Sequence, residues 1–257
     1  MKFLKTLFFK CIFVIGDAGV KLLLSRKDCI KVRSGLFAGM CWGTRAVGSE
    51  LTPKLLGTYE KELAEIIKHL PVFDLAIDIG AAEGWYAVGL LYRQTARRVV
   101  AFELTEHGQE ACRDNARRNA VVERLEVRGK CSVEDLRDLL GAIASPGFRV
   151  LIVSDCEGHE NELFAADVLR LCRGAHLIIE THESQAPGVH ARLARELESS
   201  HTVTQIKPVR RSRADVIVFG EAMPWWLRLS VLRRFLLLER RGSGNLWLYA
   251  APNPKNA

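Results

Sequence analysis

The sequence predicts an α/β fold, a mostly parallel sheet with helices on both faces. Three observations predict it: short apolar runs of strand length recur through the middle of the chain, segments of helical character separate them, and a glycine-bearing turn closes the first run. Strands alternating with helices imply right-handed crossovers, and sheets so built bind ligands at the carboxyl ends of their strands. The 257 residues are 48% hydrophobic and 26% charged, which excludes a disordered or collagen-like chain and suits one sizeable domain with additions.

The first 24 residues begin like a signal peptide, with a basic start and an apolar stretch. Lys10 interrupts that stretch, and the following uncharged run, Cys11 to Gly16, is far shorter than the ~20 residues of a spanning helix. No small-x-small cleavage site follows. We read residues 1–52 as a basic extension whose first element packs on the body, with a membrane-surface position as the lesser alternative. From Pro53 a helical pattern runs through Leu63, Ile66, Ile67 and Leu70 until Pro71 stops it. Strands are expected at Leu75 to Ile79, Arg98 to Phe102, Leu125 to Val127, Val150 to Val153 and His176 to Ile179. Helices are expected at Trp85 to Tyr92, Gly108 to Asn119 and Gly188 to Ser200. His201 to Val209 reads as a sixth strand, and Asn245 to Ala250 as a terminal strand buried on both faces. Residues 209–244 are too long for a hairpin loop and form an insertion in a domain spanning 53–257. Asp215 to Phe219 could be a strand or part of that insertion. Leu227 to Leu238 reads as an apolar helix with three arginines, packed as a lid, or, as the lesser alternative, lying at a membrane interface with Trp225 and Trp226.

The formal charge of +7 is unevenly spread. Residues 1–54 and 207–257 each carry ten Lys and Arg against three Asp and Glu, which leaves a mildly acidic middle. The positive flanks suggest attachment to an anionic surface rather than a basic cleft. The seven cysteines are odd in number, scattered and never in C-x-x-C spacing, which argues against a disulfide framework or a cysteine zinc site and fits a reducing, cytoplasmic location.

The first expected strand ends in AIDIGAAEGWYAVGLL. Gly80 permits a sharp turn with bare backbone for a ligand to approach, and Gly84 permits close packing of the next helix. Ala82 stands where the dinucleotide fingerprint needs glycine, and no G-K-[ST] is present. Asp78 and Glu83 would repel a pyrophosphate but suit a ligand bearing an ammonium and a sulfonium, which is S-adenosylmethionine. Glu103, at the tip of the second expected strand and 25 residues after Asp78, is placed to accept hydrogen bonds from two ribose hydroxyls.

With IDIGAAEGWYA, the FE of Glu103, SDCEGHENELF (Asp155, Glu157, Gly158) and IIETHE (Glu180, His182), the chain resembles the class I adenosylmethionine-dependent methyltransferases, most of all the FkbM-type family, over roughly residues 53–208. The resemblance implies a doubly wound, Rossmann-like, seven-stranded sheet with an antiparallel last strand, and methyl transfer, in several members to hydroxyls of sugars or polyketides. It implies cofactor contacts at Asp78, Gly80, Ala81, Glu83, Gly84, Glu103 and Asp155. Cys131 and Ser132 stand where many relatives place an acidic residue near adenine.

Methyl transfer to oxygen needs the acceptor held in line and its proton removed, and orientation alone can contribute on the order of 7–11 kcal/mol. The candidates at the ends of the fourth and fifth strands are Asp155, Glu157, Glu180 and His182, with His159 and Glu160 nearby. His182, and after it His159, is the expected general base. The same groups would admit a divalent ion, but their spacing is not diagnostic, and no metal is assigned. The acceptor is expected to be a sugar, glycan or small molecule. The alternatives are an RNA or DNA methyltransferase using Arg210, Arg211, Arg213, Trp225 and Trp226, which the acidic mouth disfavours, and a non-catalytic relative that only binds the cofactor.

Overall fold

The central apolar runs, Phe73–Ile79, Val150–Ser154 and His176–Thr181, become strands buried on both faces, the condition of a parallel sheet between two helical layers. The computed structural model describes residues 29–47, 50–142, 147–209, 211 and 245–254. The chain divides into two compact units, residues 1–68 with 209–240, and residues 69–208 with 241–257.

The second unit holds the sheet. Its strands are β3 (Phe73–Ile79), β4 (Ala96–Phe102), β5 (Leu125–Arg128), β6 (Val150–Ser154), β7 (His176–Thr181), β8 (His201–Ile206) and β9 (Leu246–Pro252), the pair Ile30–Lys31 (β1) and Cys41–Trp42 (β2) lying in the first unit. The order across the sheet is β5-β4-β3-β6-β7-β9-β8. Pairing is parallel from β5 to β7, and β9 runs antiparallel between β7 and β8. This is the doubly wound, seven-stranded arrangement with the expected antiparallel last strand. The order reverses between β3 and β6, which makes their carboxyl ends the switch point where such sheets take ligands.

The helices follow the expected alternation. The first unit has α1 (Leu51–Leu56) and most of α2 (Lys61–His69); the second has α3 (Trp85–Tyr92), α4 (Glu106–Arg118), α5 (Val133–Ala142), α6 (Glu160–Leu163), α7 (Ala166–Leu171) and α8 (Val189–Leu197). One core of the second unit lies on the face of the sheet that Ile77, Ile79, Phe102, Ile152 and Ile179 line, closed by Leu136, Phe164, Val168, Val189 and Leu193.

Two expectations are corrected. The single helix from Pro53 to Leu70 is two helices, because Gly57 adopts the left-handed conformation (φ 79°) and caps α1 by donating to the carbonyl of Lys54. A Cβ there would also lie 1.7 Å from the carbonyl oxygen of Ser34. The reading against disulfides fails at one place. The β1–β2 hairpin brings Cys29 and Cys41, 12 residues apart, to a Cα–Cα distance of 5.2 Å, and they are joined as a disulfide. Cys112, Cys131, Cys156 and Cys172 are free.

In the first unit Lys54 is almost fully buried, with its ammonium over the rings of Tyr59 and Trp42 at 4.7 and 5.9 Å. Arg211 pairs with Glu62 at 2.7 Å and donates to the carbonyl of Thr58. The first element of the basic extension, the Asp215 to Phe219 segment, the Leu227 to Leu238 helix and Trp225–Trp226 lie outside the described residues. Among those described, no helix is long and apolar enough to cross a membrane.

Candidate active site

The loop after β3 is tied to β4 by its backbone. The N–H groups of Gly80 and Ala81 both donate to the carbonyl of Phe102. Gly80 has φ 80°, and a Cβ there would sit 1.8 Å from the carbonyl oxygen of Asp155. The direction a Gly80 side chain would take is therefore filled by the chain leaving β6. Gly84, also left-handed, has the Cys112 Sγ of α4 at 2.6 Å from its virtual Cβ, so its bareness lets α4 approach the loop. Ala82 carries φ 48°, in the left-handed region that glycine adopts without a Cβ penalty.

The carboxylates of this region are bound to backbone donors. Asp78, 3% exposed, accepts from the N–H of Ala87 at 2.8 Å, inside the first turn of α3, whose N-cap is Gly84 and offers no side chain. Asp78 thus does the work of a helix cap. Glu103 accepts from the N–H of Ala82 at 2.9 Å through Oε2, and from the N–H and hydroxyl of Thr105 at 2.9 and 2.7 Å through Oε1. A carboxylate has about four acceptor positions, so Glu103 keeps room for one further donor. Glu83 is fully buried. Sequence reasoning missed two residues that position Glu103. Thr105 caps α4 by accepting from the N–H of Gly108, and Gly108 is bare where a Cβ would meet the Glu103 side chain at 2.6 Å. A threonine immediately before an acidic helical turn is the signal that could have found the cap.

Cys131 and Ser132 stand at the start of α5. Ser132 donates its N–H and hydroxyl to Asp135, and its oxygen accepts from the N–H of Asp135, which is a capping box. These bonds hold the Asp135 carboxyl below the usual range. Burial pushes the Cys131 thiol up to about 12, so it is neutral.

At the ends of β6 and β7 the arrangement is different. Glu157 has φ 51° and Gly158 φ 101°, and this double left-handed turn swings the chain back toward β7. A Cβ on Gly158 would lie 2.5 Å from Cβ of Gln185. The turn brings three acidic side chains onto the imidazole of His182, which is 1% exposed. Nδ1 is 2.5 Å from Oε1 of Glu160, itself fully buried, and Nε2 is 3.3 Å from Asp155 Oδ1 and 3.5 Å from Glu157 Oε2. The N–H of Gly158 also donates to Glu160. Burial works to lower the His182 pKa, but the hydrogen bond and charge of Glu160, with Glu180 and Glu157, outweigh it and hold the ring above the ordinary histidine value. Burial likewise pushes Glu160 up, and the His182 bond outweighs it to leave the carboxyl below its usual value. The ring is thus one member of a cluster of charged side chains. Glu180 is buried at the end of β7. His159, the second candidate, is more than half exposed and faces Glu162 at 3.4 Å. Glu160, named from sequence only as a nearby candidate, is the residue that fixes His182. Its partner is 22 residues away, and only the adjacency of β6 and β7 joins them.

The loop segments 80–84, 103–105 and 155–159 contain four acidic residues besides Asp78 and neither lysine nor arginine. These carboxylates accept hydrogen bonds from hydroxyls, attract cationic groups and repel phosphates, so they fit adenosylmethionine.

No protein-family model and no curated protein matches the chain. Among solved structures, the precorrin-6y C5,15-methyltransferase of Geobacter metallireducens is 15% identical over 76% of this chain and 88% of that one, with a TM-score of 0.47. An O-methyltransferase of Bacillus cereus, solved with S-adenosylhomocysteine, is 15% identical over 70% and 74%, with a TM-score of 0.44. A precorrin 8w decarboxylase of Methanobacterium thermoautotrophicum is 16% identical over 74% and 88%, with a TM-score of 0.46. The fold rests on the strand order itself and not on these distant likenesses.

Proposed function

We propose that the chain is an S-adenosylmethionine-dependent methyltransferase that methylates a hydroxyl of a sugar, glycan or other small-molecule acceptor. The observation that supports this most is the switch point between β3 and β6. There, the loop segments carry acidic side chains and no lysine or arginine, around a glycine-bearing loop whose Ala82 N–H is bonded to Glu103. Glu103 and the loop from Gly80 to Gly84 would hold the nucleoside, with Cys131 and Ser132 toward adenine. Asp155, Glu157, Glu180 and His182 would receive the acceptor. Adenosylmethionine bound there supplies an electrophilic methyl group. The protein's own part is to hold the acceptor oxygen in line and to stabilise its loss of a proton.

The nucleic-acid alternative loses one of its groups. Arg211 is spent on Glu62 and the Thr58 carbonyl, with only 8% of its side chain exposed. Calorimetry with adenosylmethionine tests the central claim. Saturable binding is expected, weakened tenfold or more by Glu103→Ala, and its absence from the native chain removes the proposal. Transfer of a labelled methyl group into fractionated small molecules and glycans separates the enzyme from a cofactor-binding relative. Binding to duplex or single-stranded nucleic acid with a steep salt slope would promote the rival.

A further inference from the structure

The cluster around His182 has features that hydrogen bonding inside the protein does not use. The ring is buried, and the Glu160 carboxylate can only accept at Nδ1, so Nδ1 carries a proton and Nε2 is turned toward Asp155 and Glu157. Nε2 makes no hydrogen bond among the described residues, although two carboxylate oxygens stand 3.3 and 3.5 Å from it. Ligand atoms bound about 2.1 Å from one ion, at angles between octahedral and tetrahedral, lie roughly 3.0–3.5 Å apart. One ligand atom each from Asp155, Glu157 and His182 fall within 4.8 Å of one another. A buried carboxylate on the far nitrogen of a histidine is also the arrangement that fixes the tautomer of metal-binding imidazoles.

We infer that Asp155, Glu157 and Nε2 of His182 form a binding site for a first-row divalent metal ion, with Glu160 orienting the imidazole. The donor set decides the class of ion. Two carboxylates and an imidazole suit Mn²⁺, Fe²⁺ or Zn²⁺, whereas Mg²⁺ and Ca²⁺ favour oxygen alone. With Glu160 behind the ring, three carboxylates gather at this place, a surplus of negative charge that favours a divalent cation. Each ligand comes from a separate place on the backbone: Asp155 from the end of β6, Glu157 from the left-handed turn and His182 from the residue after β7. Glu157 is the outer member, its side chain 74% exposed, so the ion would face solvent on that side and keep positions open for a substrate oxygen. That use, holding and acidifying an acceptor hydroxyl, rests on the methyltransferase reading. Binding of the ion does not.

Titration of the full chain with Mn²⁺, followed by loss of the free-ion signal in electron paramagnetic resonance, tests the site. One Mn²⁺ per chain is expected, displaced by Zn²⁺, with nitrogen modulation from an imidazole ligand in the pulsed spectrum. Glu157→Gln should weaken binding tenfold or more, Asp155→Asn should abolish it, and Glu160→Gln should weaken it by about 10–100-fold. Glu157→Gln changes an exposed side chain, so it reports on the site even if the buried variants do not fold. Absence of saturable uptake below millimolar Mn²⁺, uptake unchanged by Glu157→Gln, or a bound ion without nitrogen modulation would overturn the inference. Calorimetry with adenosylmethionine on the same metal-free protein keeps the two readings apart. Cofactor binding without Mn²⁺ uptake removes only the metal site, and Mn²⁺ uptake without cofactor binding removes only the methyltransferase reading.

Discussion

After β3, the carboxylates of Asp78 and Glu103 are held by backbone N–H groups of Ala87, Ala82 and Thr105. After β6, the carboxylates of Asp155, Glu157 and Glu160 converge on a single imidazole. The residue types are the same, and both loops carry one non-glycine residue in the left-handed region, Ala82 and Glu157. What differs is the donor. Neutral N–H groups fix a carboxylate in place and leave little unspent charge, whereas carboxylates gathered around one ring concentrate negative potential in a spot that calls for a cation. An acidic residue at a strand end therefore has no role until its donor is known.

The comparison can be broken most severely at the residue joining the two loops. Gly80→Ala puts a Cβ 1.8 Å from the carbonyl oxygen of Asp155 in a backbone of φ 80°, so both loops must move. We expect a loss of at least about 4 kcal/mol in chemical denaturation, the range of severe steric lesions. Next comes Glu160→Leu, which removes the buried partner of His182. Breaking a buried pair from one side costs about 3–5 kcal/mol where the remaining charge has no other partner. Asp155 and Glu157 still face this ring, so the lower end is expected in the same measurement.

A smaller effect separates the two ends of β7. At its amino end His176 lies against Phe73 and Tyr249, and burial, helped by the charges of His201 and Arg149, lowers its pKa to about 4. Burial lowers His190 and His201 as well. The unfolded chain holds these residues near the ordinary value of about 6.5, so between roughly pH 6.5 and 4 it binds more protons than the folded chain. Stability is then lost as pH falls through that window. Allowing for its partial exposure, His176 contributes about 2 kcal/mol of this. Thermal melts from pH 7 to 4.5 should show a decline that His176→Gln reduces; an unchanged slope would show the ring stays solvated. The smallest change is Ala82→Gly. A left-handed alanine costs about 1–2 kcal/mol, partly returned by the entropy glycine loses. A gain of up to about 1 kcal/mol is expected in chemical denaturation.

The sheet was legible because its strands are apolar runs, and the error at β4 has the same cause. That strand begins at Ala96, but Arg97 and Arg98 are exposed and interrupt the run, so the expected start fell two residues late. The division between α1 and α2 was missed because an apolar helical period continues across Gly57. The glycine is required by the close approach of Ser34, a contact no local pattern shows. The placement of Glu103, Asp155, Glu157 and His182 at or just after strand ends was legible in the sequence. Their partners were not, since Glu160–His182 and Gly80–Asp155 become neighbours only through strand adjacency. The Asp78 cap was missed for the opposite reason, an acidic residue before a loop having more than one use.

The position of β9 bears on the order in which the molecule assembles. Among the described residues β8 joins the sheet only through β9, which follows a stretch that, from Val209 to Arg240, belongs to the other unit. During synthesis β3 to β7 can pair as they emerge, while β8 has no strand to join until Leu246–Pro252 is made. Completion of this sheet is thus a late, long-range event, and a chain halted before residue 246 leaves the outer edge of β7 open to other strands.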